Sequence, residues 1–245
     1  MQIGLIGLGV VGGTLKTWMD RNTEHEIRCF DPGKELFQDL DGSAAIFISV
    51  PVPSTNHGQD IKTLTQCVEK AKRYTNTVFI RSTVLPGTND YFGTCSMPEF
   101  LTERRANKDM DALPVLSGKC NKDFLREVFP GKNLVIVTNV EAELAKLAHN
   151  CHGAFKVTFW NMIYQISNKV GADYQEVLRA SALTGYIGKE HTQVPGPDSK
   201  FGYGGKCFPQ NMRAMETWLA GIGLIGEANL FEEISEMNKE YRNAE

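Results

Sequence analysis

Two patterns of apolar and polar positions divide the chain. In the first half, short apolar runs alternate with helical or turn segments. The predicted strands cover residues 2–8, 26–30, 44–50, 77–80 and 134–138, and the predicted helices cover 12–21 and 61–74. Such alternation is typical of a parallel sheet with helices on both faces. The sequence therefore predicts an α/β fold built on a Rossmann-like, doubly wound parallel sheet.

The pattern changes to helical spacing after about residue 139. Between residues 141 and 170 there is no proline and one glycine, and apolar side chains recur every three or four positions. This spacing predicts one helix of roughly 30 residues, about 45 Å long. Another helix is predicted at 174–183, then a Gly/Pro-rich loop at 184–205, and two helices after it.

These patterns predict two domains. A Rossmann-like domain over residues 1–138 precedes an all-α domain over residues 139–245 that begins with the long helix. Because a helix of this length outreaches a small domain, we expect it to pair with its counterpart in a second copy, as a homodimer.

The charge balance is close to neutral. Lys and Arg total 26 against 29 Asp and Glu, a formal charge of −3. This balance argues against binding to nucleic acid or to an acidic membrane by bulk charge. The first residues show no secretory leader pattern, and the six cysteines lack metal-ligand spacing. We therefore expect a cytoplasmic protein with reduced thiols and no bound metal.

Gly7, Gly9 and Gly12 form a G-x-G-x-x-G motif between the first predicted strand and helix, and Asp31 ends the second strand. Glycines let the backbone approach a pyrophosphate at a helix N-terminus, and an acid at this place accepts hydrogen bonds from a ribose diol. The alternative is a structural turn with a surface aspartate, but the full context favours a dinucleotide. Because a carboxylate repels a 2′-phosphate, we predict NAD rather than NADP, a preference that Lys34 weakens only slightly.

Five further motifs stand in a fixed order. They read Ser-Val-Pro-Val-Pro at 49–53, Ser-Thr-Val-Leu-Pro-Gly-Thr at 82–88, Pro-Glu-Phe-Leu-Thr-Glu at 98–103, Glu-Leu-Ala-Lys-Leu-Ala-His-Asn at 143–150 and Phe-Gly-Tyr-Gly-Gly-Lys-Cys-Phe-Pro at 201–209. With the glycine motif, this series resembles the UDP-glucose/GDP-mannose dehydrogenase family from residue 1 to about 238. The resemblance implies a four-electron oxidation of a nucleotide sugar's primary alcohol to a carboxylate, using two NAD molecules in turn. UDP-glucose is the expected substrate and polysaccharide biosynthesis the expected setting.

The resemblance also implies roles for individual residues. The family's nucleophilic cysteine falls on Cys207, its catalytic lysine on Lys146 and its helix asparagine on Asn150. Thr83, Glu99 and Asn211 complete the implied catalytic set. The implied cofactor-binding residues are Gly7, Gly9, Val10, Val11, Gly12, Asp31, Lys34, Val50, Pro51, Ser82, Thr83 and Glu103. The implied substrate-binding residues are Glu99, Phe100, Leu101, Lys146, Asn150, Phe201, Gly202, Tyr203, Gly204, Gly205 and Cys207.

The chemistry accounts for these residue types independently. An aldehyde surrenders a hydride only after a nucleophile has made its carbon tetrahedral, and a thiolate at Cys207 would do this. Lys146 and Asn150 are four residues apart, hence on one helix face, where they could hold a water and stabilise an oxyanion. The same stripe continues through Gly153 and Asn161, which suggests a face buried against a site.

Three departures from the family pattern bear on the activity and on the identity of the substrate. Gln210 and Asn211 replace the family's Lys-Asp, and an amide cannot accept a proton near neutral pH. Activity is therefore expected to be reduced, unless another carboxylate such as Glu99 substitutes. Tyr186 stands where the family has an arginine that reaches the partner's sugar site. The sequence also ends where the family continues into a UDP-binding domain, so we expect that domain to be absent.

The sequence predicts an NAD-dependent UDP-glucose 6-dehydrogenase and leaves three alternatives. One is a catalytically impaired homologue that binds NAD or a nucleotide sugar, motivated by Asn211 and by the missing domain. The second is a GDP-mannose-type enzyme. The third is a two-electron hydroxyacid dehydrogenase, and this enzyme would have no need of Cys207.

Overall fold

Strands and helices alternate through the first half of the chain and give way to helices in the second. The computed structural model describes residues 1–243. The strands are β1 (Gln2–Ile6), β2 (Glu26–Asp31), β3 (Leu36–Phe37), β4 (Ala45–Ile48), β5 (Ser54–Thr55), β6 (Gly58–Gln59), β7 (Val78–Ile80), β8 (Cys95–Ser96), β9 (Val115–Ser117) and β10 (Leu134–Ile136). The helices are α1 (Val10–Asn22), α2 (Lys62–Lys72), α3 (Thr88–Phe92), α4 (Ala106–Ala112), α5 (Lys122–Val128), α6 (Asn139–Val170), α7 (Tyr174–Ser181), α8 (Cys207–Gly221) and α9 (Ile225–Asn243), with 3₁₀ turns at Pro32–Lys34 and Glu103–Arg105.

The main sheet has six strands in the order β3-β2-β1-β4-β7-β8. All neighbours pair in parallel except β3, which runs antiparallel to β2. Since β2 and β4 lie on opposite sides of β1, the chain reverses direction across the sheet at the carboxyl end of β1. Open α/β sheets bind ligands at such a switch point.

Both faces of this sheet are covered, which confirms the doubly wound α/β prediction. In β4, Phe47 belongs to a core cluster that includes Leu15 and Trp18 of α1. Ile46 and Ile48 point to the other face, into a cluster that includes Leu64 and Val68 of α2, among other residues. Strands buried on both faces read as continuous apolar runs, as the sequence of β4 does.

Several predicted element ends are wrong by one or two residues. β1 ends at Ile6 rather than residue 8, because Gly7 has a φ of 84° and leaves the extended conformation. α1 begins at Val10 rather than residue 12, and α6 at Asn139 rather than 141. The predicted helix at 174–183 ends at Ser181.

The described residues divide into two units by their contacts. Unit 1 contains Met1–Pro53 and Gln59–Lys146, and unit 2 contains Ser54–Gly58 and Leu147–Glu245. The boundary therefore lies inside α6. Within residues 1–243, no helix is long and apolar enough to cross a membrane.

Candidate active site

The glycine motif of unit 1 forms a tight turn from β1 into α1. Gly7 adopts a positive φ, and a Cβ on Gly12 would lie 2.0 Å from the Gly7 carbonyl oxygen. Gly9, the N-cap residue of α1, is exposed, and a Cβ built on it meets nothing within 4 Å. Gly7 and Gly12 are therefore required by the turn itself, whereas Gly9 leaves open space in front of the helix N-terminus.

Asp31 and Lys34 hold the residue between the first two glycines. The Asp31 Oδ2 atom accepts a hydrogen bond from the Leu8 N–H at 2.7 Å. The Lys34 Nζ atom donates to the Leu8 carbonyl oxygen at 2.6 Å. Asp31 thus stabilises the turn besides its predicted role with a ribose, and the Lys34 ammonium is directed at the turn.

A second group of cofactor candidates lies at the carboxyl ends of β4 and β7. The Ser82 hydroxyl donates to the Val50 carbonyl oxygen at 2.6 Å and accepts from the Val50 N–H at 3.0 Å. The Gln59 side chain donates to the Thr83 carbonyl oxygen at 3.1 Å and accepts from the Leu85 N–H at 2.9 Å. These bonds fix the backbone at Val50 and Thr83, at the carboxyl edge of the sheet that holds the glycine turn. Pro51, next to Val50, is exposed.

Glu99 and Lys146 form a buried ion pair within unit 1. The Lys146 Nζ atom lies 3.3 Å from Glu99 Oε1, and the two side chains are only 5% and 12% exposed. Glu99 Oε2 also accepts from the Leu101 N–H at 2.5 Å, and the Lys146 ammonium lies 5.3 Å from the centre of the Phe100 ring. The structure thus brings two predicted catalytic residues together and fixes both carboxylate oxygens of Glu99.

Arg81 is a charged residue near this pair that the sequence analysis missed. It directly follows β7 and is 3% exposed, and its Nε atom has no hydrogen-bond partner within the described residues. Burial lowers the pKa of Arg81 to about 10, and the negative charge of Glu99 acts against this decrease. A charged residue directly after an apolar strand was the available signal.

Glu143 is a second functional candidate that the sequence analysis did not single out. Its carboxylate accepts hydrogen bonds from the Gly87 N–H at 2.6 Å and from the backbone and side-chain N–H groups of Asn89, both at 2.8 Å. Burial raises the pKa of Glu143, and these donors partly offset that rise. The bonds tie the start of α6 to the loop that follows Thr83.

Cys207 is the first residue of α8 in unit 2 and is exposed. The N-terminal end of a helix favours an anion such as a thiolate. The next residue, Phe208, packs directly against α6, where a Cβ on Gly153 would lie 2.6 Å from its ring. Gly153 therefore allows the start of α8 to approach α6 closely.

Asn211 lies one turn after Cys207 and is buried. Its side-chain amide donates to the Cys207 backbone carbonyl oxygen at 2.7 Å. The backbone carbonyl oxygen of Asn211 lies 3.6 Å from the Cys151 sulfur. An ionised aspartate at this position could not donate to the Cys207 carbonyl oxygen, because a carboxylate only accepts hydrogen bonds. Asn211 therefore has a structural role in the first turn of α8.

The predicted sugar loop, residues 201–205, is fixed by three side chains of unit 2. The Gly202 N–H donates to Asn161 Oδ1 at 3.0 Å, and the Tyr203 N–H donates to Asn238 Oδ1 at 2.6 Å. A Cβ on Gly204 would lie 2.8 Å from the guanidinium of Arg242. The loop is therefore held in one conformation directly before Cys207, and only the role of Asn161 was suggested by the sequence.

The other predicted site residues have differing surroundings. Asn150 is buried, and α6 carries it four residues after Lys146. Phe100 and Leu101 are half-buried in unit 1. Glu103 is exposed in a 3₁₀ turn. Their roles stay predictions.

Comparison with known proteins identifies the family of this chain. Residues 140–240 match the model of the UDP-glucose/GDP-mannose dehydrogenase family, central domain. The UDP-glucose 6-dehydrogenase of Rickettsia bellii is 28% identical over 227 residues, 83% of this chain and 51% of that protein. The GDP-mannose 6-dehydrogenase of Pseudomonas aeruginosa is 33% identical over 202 residues, 69% of this chain and 45% of that protein. The chain belongs to the UDP-glucose/GDP-mannose dehydrogenase family.

The solved structures agree with this assignment at the level of the fold. A UDP-glucose dehydrogenase from Pyrobaculum islandicum matches with a TM-score of 0.80 at 21% identity, over 96% of this chain and 68% of that one. At this identity the likeness concerns the fold alone. The chain spans about half the length of the curated dehydrogenases it matches.

The glycine turn fits NAD, the cofactor expected for a Rossmann-type member of this dehydrogenase family. Gly9 leaves the space that a pyrophosphate needs at the N-terminus of α1, where backbone N–H groups and the helix dipole favour an anion. Asp31, at the end of β2, accepts from the Leu8 N–H through Oδ2, and its contact with a ribose hydroxyl stays a prediction.

Proposed function

We propose that this chain is an NAD-dependent nucleotide-sugar 6-dehydrogenase that oxidises UDP-glucose to UDP-glucuronate. The relatives named UDP-glucose and GDP-mannose 6-dehydrogenases support the reaction class. The observation that carries the proposal is the exposed thiol of Cys207 at the N-terminus of α8, directly after a fixed glycine-rich loop. A simple alcohol oxidation has no need of such a nucleophile.

In the proposed reaction, Cys207 makes the second oxidation possible. The first step converts the primary alcohol to an aldehyde with loss of a hydride and a proton. The Cys207 thiolate then adds to the aldehyde carbon, and loss of a second hydride from the adduct leaves a thioester. Water hydrolyses the thioester, which releases the carboxylate and restores the thiol. NAD, when bound, accepts the hydride in each step.

Lys146 is proposed to stabilise the oxyanions of these steps. Its ammonium is buried, and a charge acts strongly where water is excluded. Glu99 holds that ammonium in place through the 3.3 Å contact. The Asn150 amide, one helical turn further along α6, is proposed to bind the attacking water.

The loop at 201–205 is proposed to hold the sugar diphosphate. Two of its backbone N–H groups, those of Gly202 and Tyr203, bind side chains of Asn161 and Asn238, which fixes the loop in advance of binding. A loop that is already ordered loses less conformational entropy on binding. UDP-glucose is proposed over GDP-mannose because the relative named UDP-glucose 6-dehydrogenase matches 83% of this chain and the one named GDP-mannose 6-dehydrogenase matches 69%. GDP-mannose is the comparison substrate.

The direct test is NADH formation, followed by absorbance, with UDP-glucose and separately with GDP-mannose. We expect two NADH per UDP-glucose and a uronic acid product. Cys207→Ala should abolish formation of the acid but leave NAD affinity unchanged. The half-buried Cys67 of α2 provides the control, because Cys67→Ala should keep normal turnover. A Cys207→Ala enzyme that forms the acid at the normal rate would refute the nucleophile role.

A second candidate function is binding of NAD or a nucleotide sugar without efficient turnover. The observation that favours it is Asn211, whose amide is engaged with the Cys207 carbonyl oxygen and cannot act as a base. Calorimetry that shows both ligands binding, in a protein that forms no NADH, would select this function over the first.

We further propose that α6 pairs with α6 of a second copy. Phe159, Ile166 and Val170 are 47%, 49% and 71% exposed. They are spaced seven and four residues apart, so they share one face of the helix. An exposed apolar stripe of this kind is typical of a helix–helix interface.

A further inference from the structure

Cys95 and Cys120 of unit 1 lie close together, because the Cys95 thiol donates to the carbonyl oxygen of Lys119, the residue directly before Cys120. Both are half-buried, and both pack against the core cluster that contains Phe79 and Met97. The sequence separates them by 25 positions, and neither belongs to a C-x-x-C motif. The fold alone therefore brings the two thiols together.

The backbone around the two cysteines is held by a set of specific bonds. Cys95 lies in β8, the edge strand of the main sheet, opposite Phe79 of β7. The Gly118 N–H donates to the carbonyl oxygen of Ser96 at 2.6 Å, so the segment leading to Cys120 runs beside this edge. The Lys119 carbonyl oxygen lies 3.7 Å from the Cys95 sulfur. The Cys95 sulfur therefore lies against the backbone that carries Cys120.

The contact makes the two thiols chemically unequal. The neighbouring Cys95 side chain lowers the pKa of Cys120 to about 7, against the effect of burial. The Cys120 side chain and burial raise the pKa of Cys95. Near neutral pH, Cys120 is therefore the nucleophile of the pair, and Cys95 is the neighbouring thiol that could displace a group attached to it.

We propose that Cys95 and Cys120 are a redox-active dithiol that low-molecular-weight disulfides, such as glutathione disulfide, convert to an intramolecular disulfide. This site is separate from the proposed dehydrogenase function, so its failure would leave that proposal untouched.

The oxidation proceeds by two thiol–disulfide exchanges. The Cys120 thiolate attacks one sulfur of glutathione disulfide, whose sulfur–sulfur bond breaks and releases one glutathione thiolate. Cys95 then loses its proton to solvent and attacks the Cys120 sulfur, which breaks the mixed disulfide and releases the second glutathione. The two protein thiols lose two electrons in total, and glutathione disulfide gains them.

Peptide mapping tests the product. The reduced full-length chain is incubated with glutathione disulfide, quenched with N-ethylmaleimide and digested with trypsin, which cuts after Lys and Arg. We expect a disulfide that joins residues 82–104 to residues 120–122. The Cys67→Ser control should form it equally well. Two unlinked, fully alkylated peptides would overturn the proposal.

Two single variants test the order of steps. Cys95→Ser should stop at a mixed disulfide of Cys120 with glutathione, because the second thiol is missing. Cys120→Ser should leave Cys95 largely unmodified. The opposite result, with the adduct on Cys95, would overturn the assignment of Cys120 as the nucleophile.

The pH dependence of alkylation tests the same assignment in the unmodified protein, whether or not the variants fold. Because only the thiolate reacts, the rate at Cys120 should fall about tenfold per pH unit below 7 and level off above about pH 8. A rate at Cys120 that still rises about threefold between about pH 8 and 9 would indicate an ordinary thiol with a pKa near about 8.5 and would contradict the proposal.

Discussion

At the residue scale, the Lys146–Glu99 pair shows how a buried charge depends on a single partner. Glu99→Gln keeps the side-chain shape but removes the negative charge 3.3 Å from a buried ammonium. We expect a loss of about 2–4 kcal/mol in the free energy of unfolding, because breaking one side of a buried pair leaves the other charge uncompensated. Urea unfolding measures this.

The exposed residue Glu69 of α2 provides the matched control for this variant. Glu69→Gln makes the same chemical change at the surface and should alter the free energy of unfolding by less than about 0.5 kcal/mol. Equal stability of the Glu99 and Glu69 variants would show that the buried pair contributes little.

Asp31 has two functions that different substitutions can separate. Asp31→Asn keeps an oxygen that can accept from the Leu8 N–H, whereas Asp31→Ala removes it. For the Asn variant we expect near-normal stability and NAD binding weakened by about 1–3 kcal/mol, because a charge-assisted acceptor for the ribose is lost. Titration calorimetry with NAD and NADP measures this. Unchanged NAD affinity in a folded Asn variant would restrict Asp31 to the turn.

Some of these hydrogen bonds could not be predicted from the sequence. The position of Asp31 follows from a local motif at the end of a strand. Other bonds join residues far apart in sequence: Asp31 with Leu8, Gln59 with Thr83, and Glu143 with Asn89. No periodicity encodes such pairs, so only the folded chain reveals them.

At the element scale, the start of α1 depends on which glycine carries a Cβ. A Cβ on Gly12 would lie 2.0 Å from a backbone oxygen of Gly7, which cannot move without breaking the turn. A Cβ on Gly13 would lie 3.4 Å from the Leu8 oxygen, an ordinary contact. We expect Gly12→Ala to lower the free energy of unfolding by about 3 kcal/mol or more.

Gly13→Ala is the control on the same turn of the helix. It should be neutral or stabilise by about 0.5–1 kcal/mol, since alanine favours a helix over glycine. Denaturant titration of both variants measures the difference. If both alanines were tolerated equally, the close approach of Gly7 and Gly12 would not constrain the turn.

The elements that the sequence predicts are the long or strongly apolar ones. β1, β4 and α6 follow from continuous apolar runs or from sustained helical spacing. β3, β5, β6 and β8 have two residues each, which is too short for any period to register. The helices α3, α4 and α5 have five to seven residues and were missed for the same reason.

At the scale of the whole molecule, local patterns locate the change of architecture but not the unit boundary. The sequence places a change at residue 139, where α6 begins. The contacts divide the chain at Lys146 and Leu147, two turns into that helix, and assign Ser54–Gly58 to unit 2. The first turns of α6 belong to unit 1 because Asn139 accepts from Ser96 of β8 and Glu143 accepts from Gly87, both in that unit. Such assignments depend on contacts between distant segments, which apolar spacing does not report.

The proposed pairing of α6 gives a prediction for the whole assembly. Ile166 lies at the middle of the exposed stripe formed with Phe159 and Val170. A lysine there would place a charge in an apolar interface, where desolvation without a partner is unfavourable. Ile166→Lys should therefore shift the protein from dimer to monomer. The exposed residue Gln165, directly before Ile166 in the helix, provides the control. The Gln165→Lys variant should remain dimeric. Sedimentation equilibrium over a range of concentrations measures both. A wild-type protein that is monomeric throughout, or an Ile166→Lys variant that still dimerises, would exclude this face of α6 as the interface.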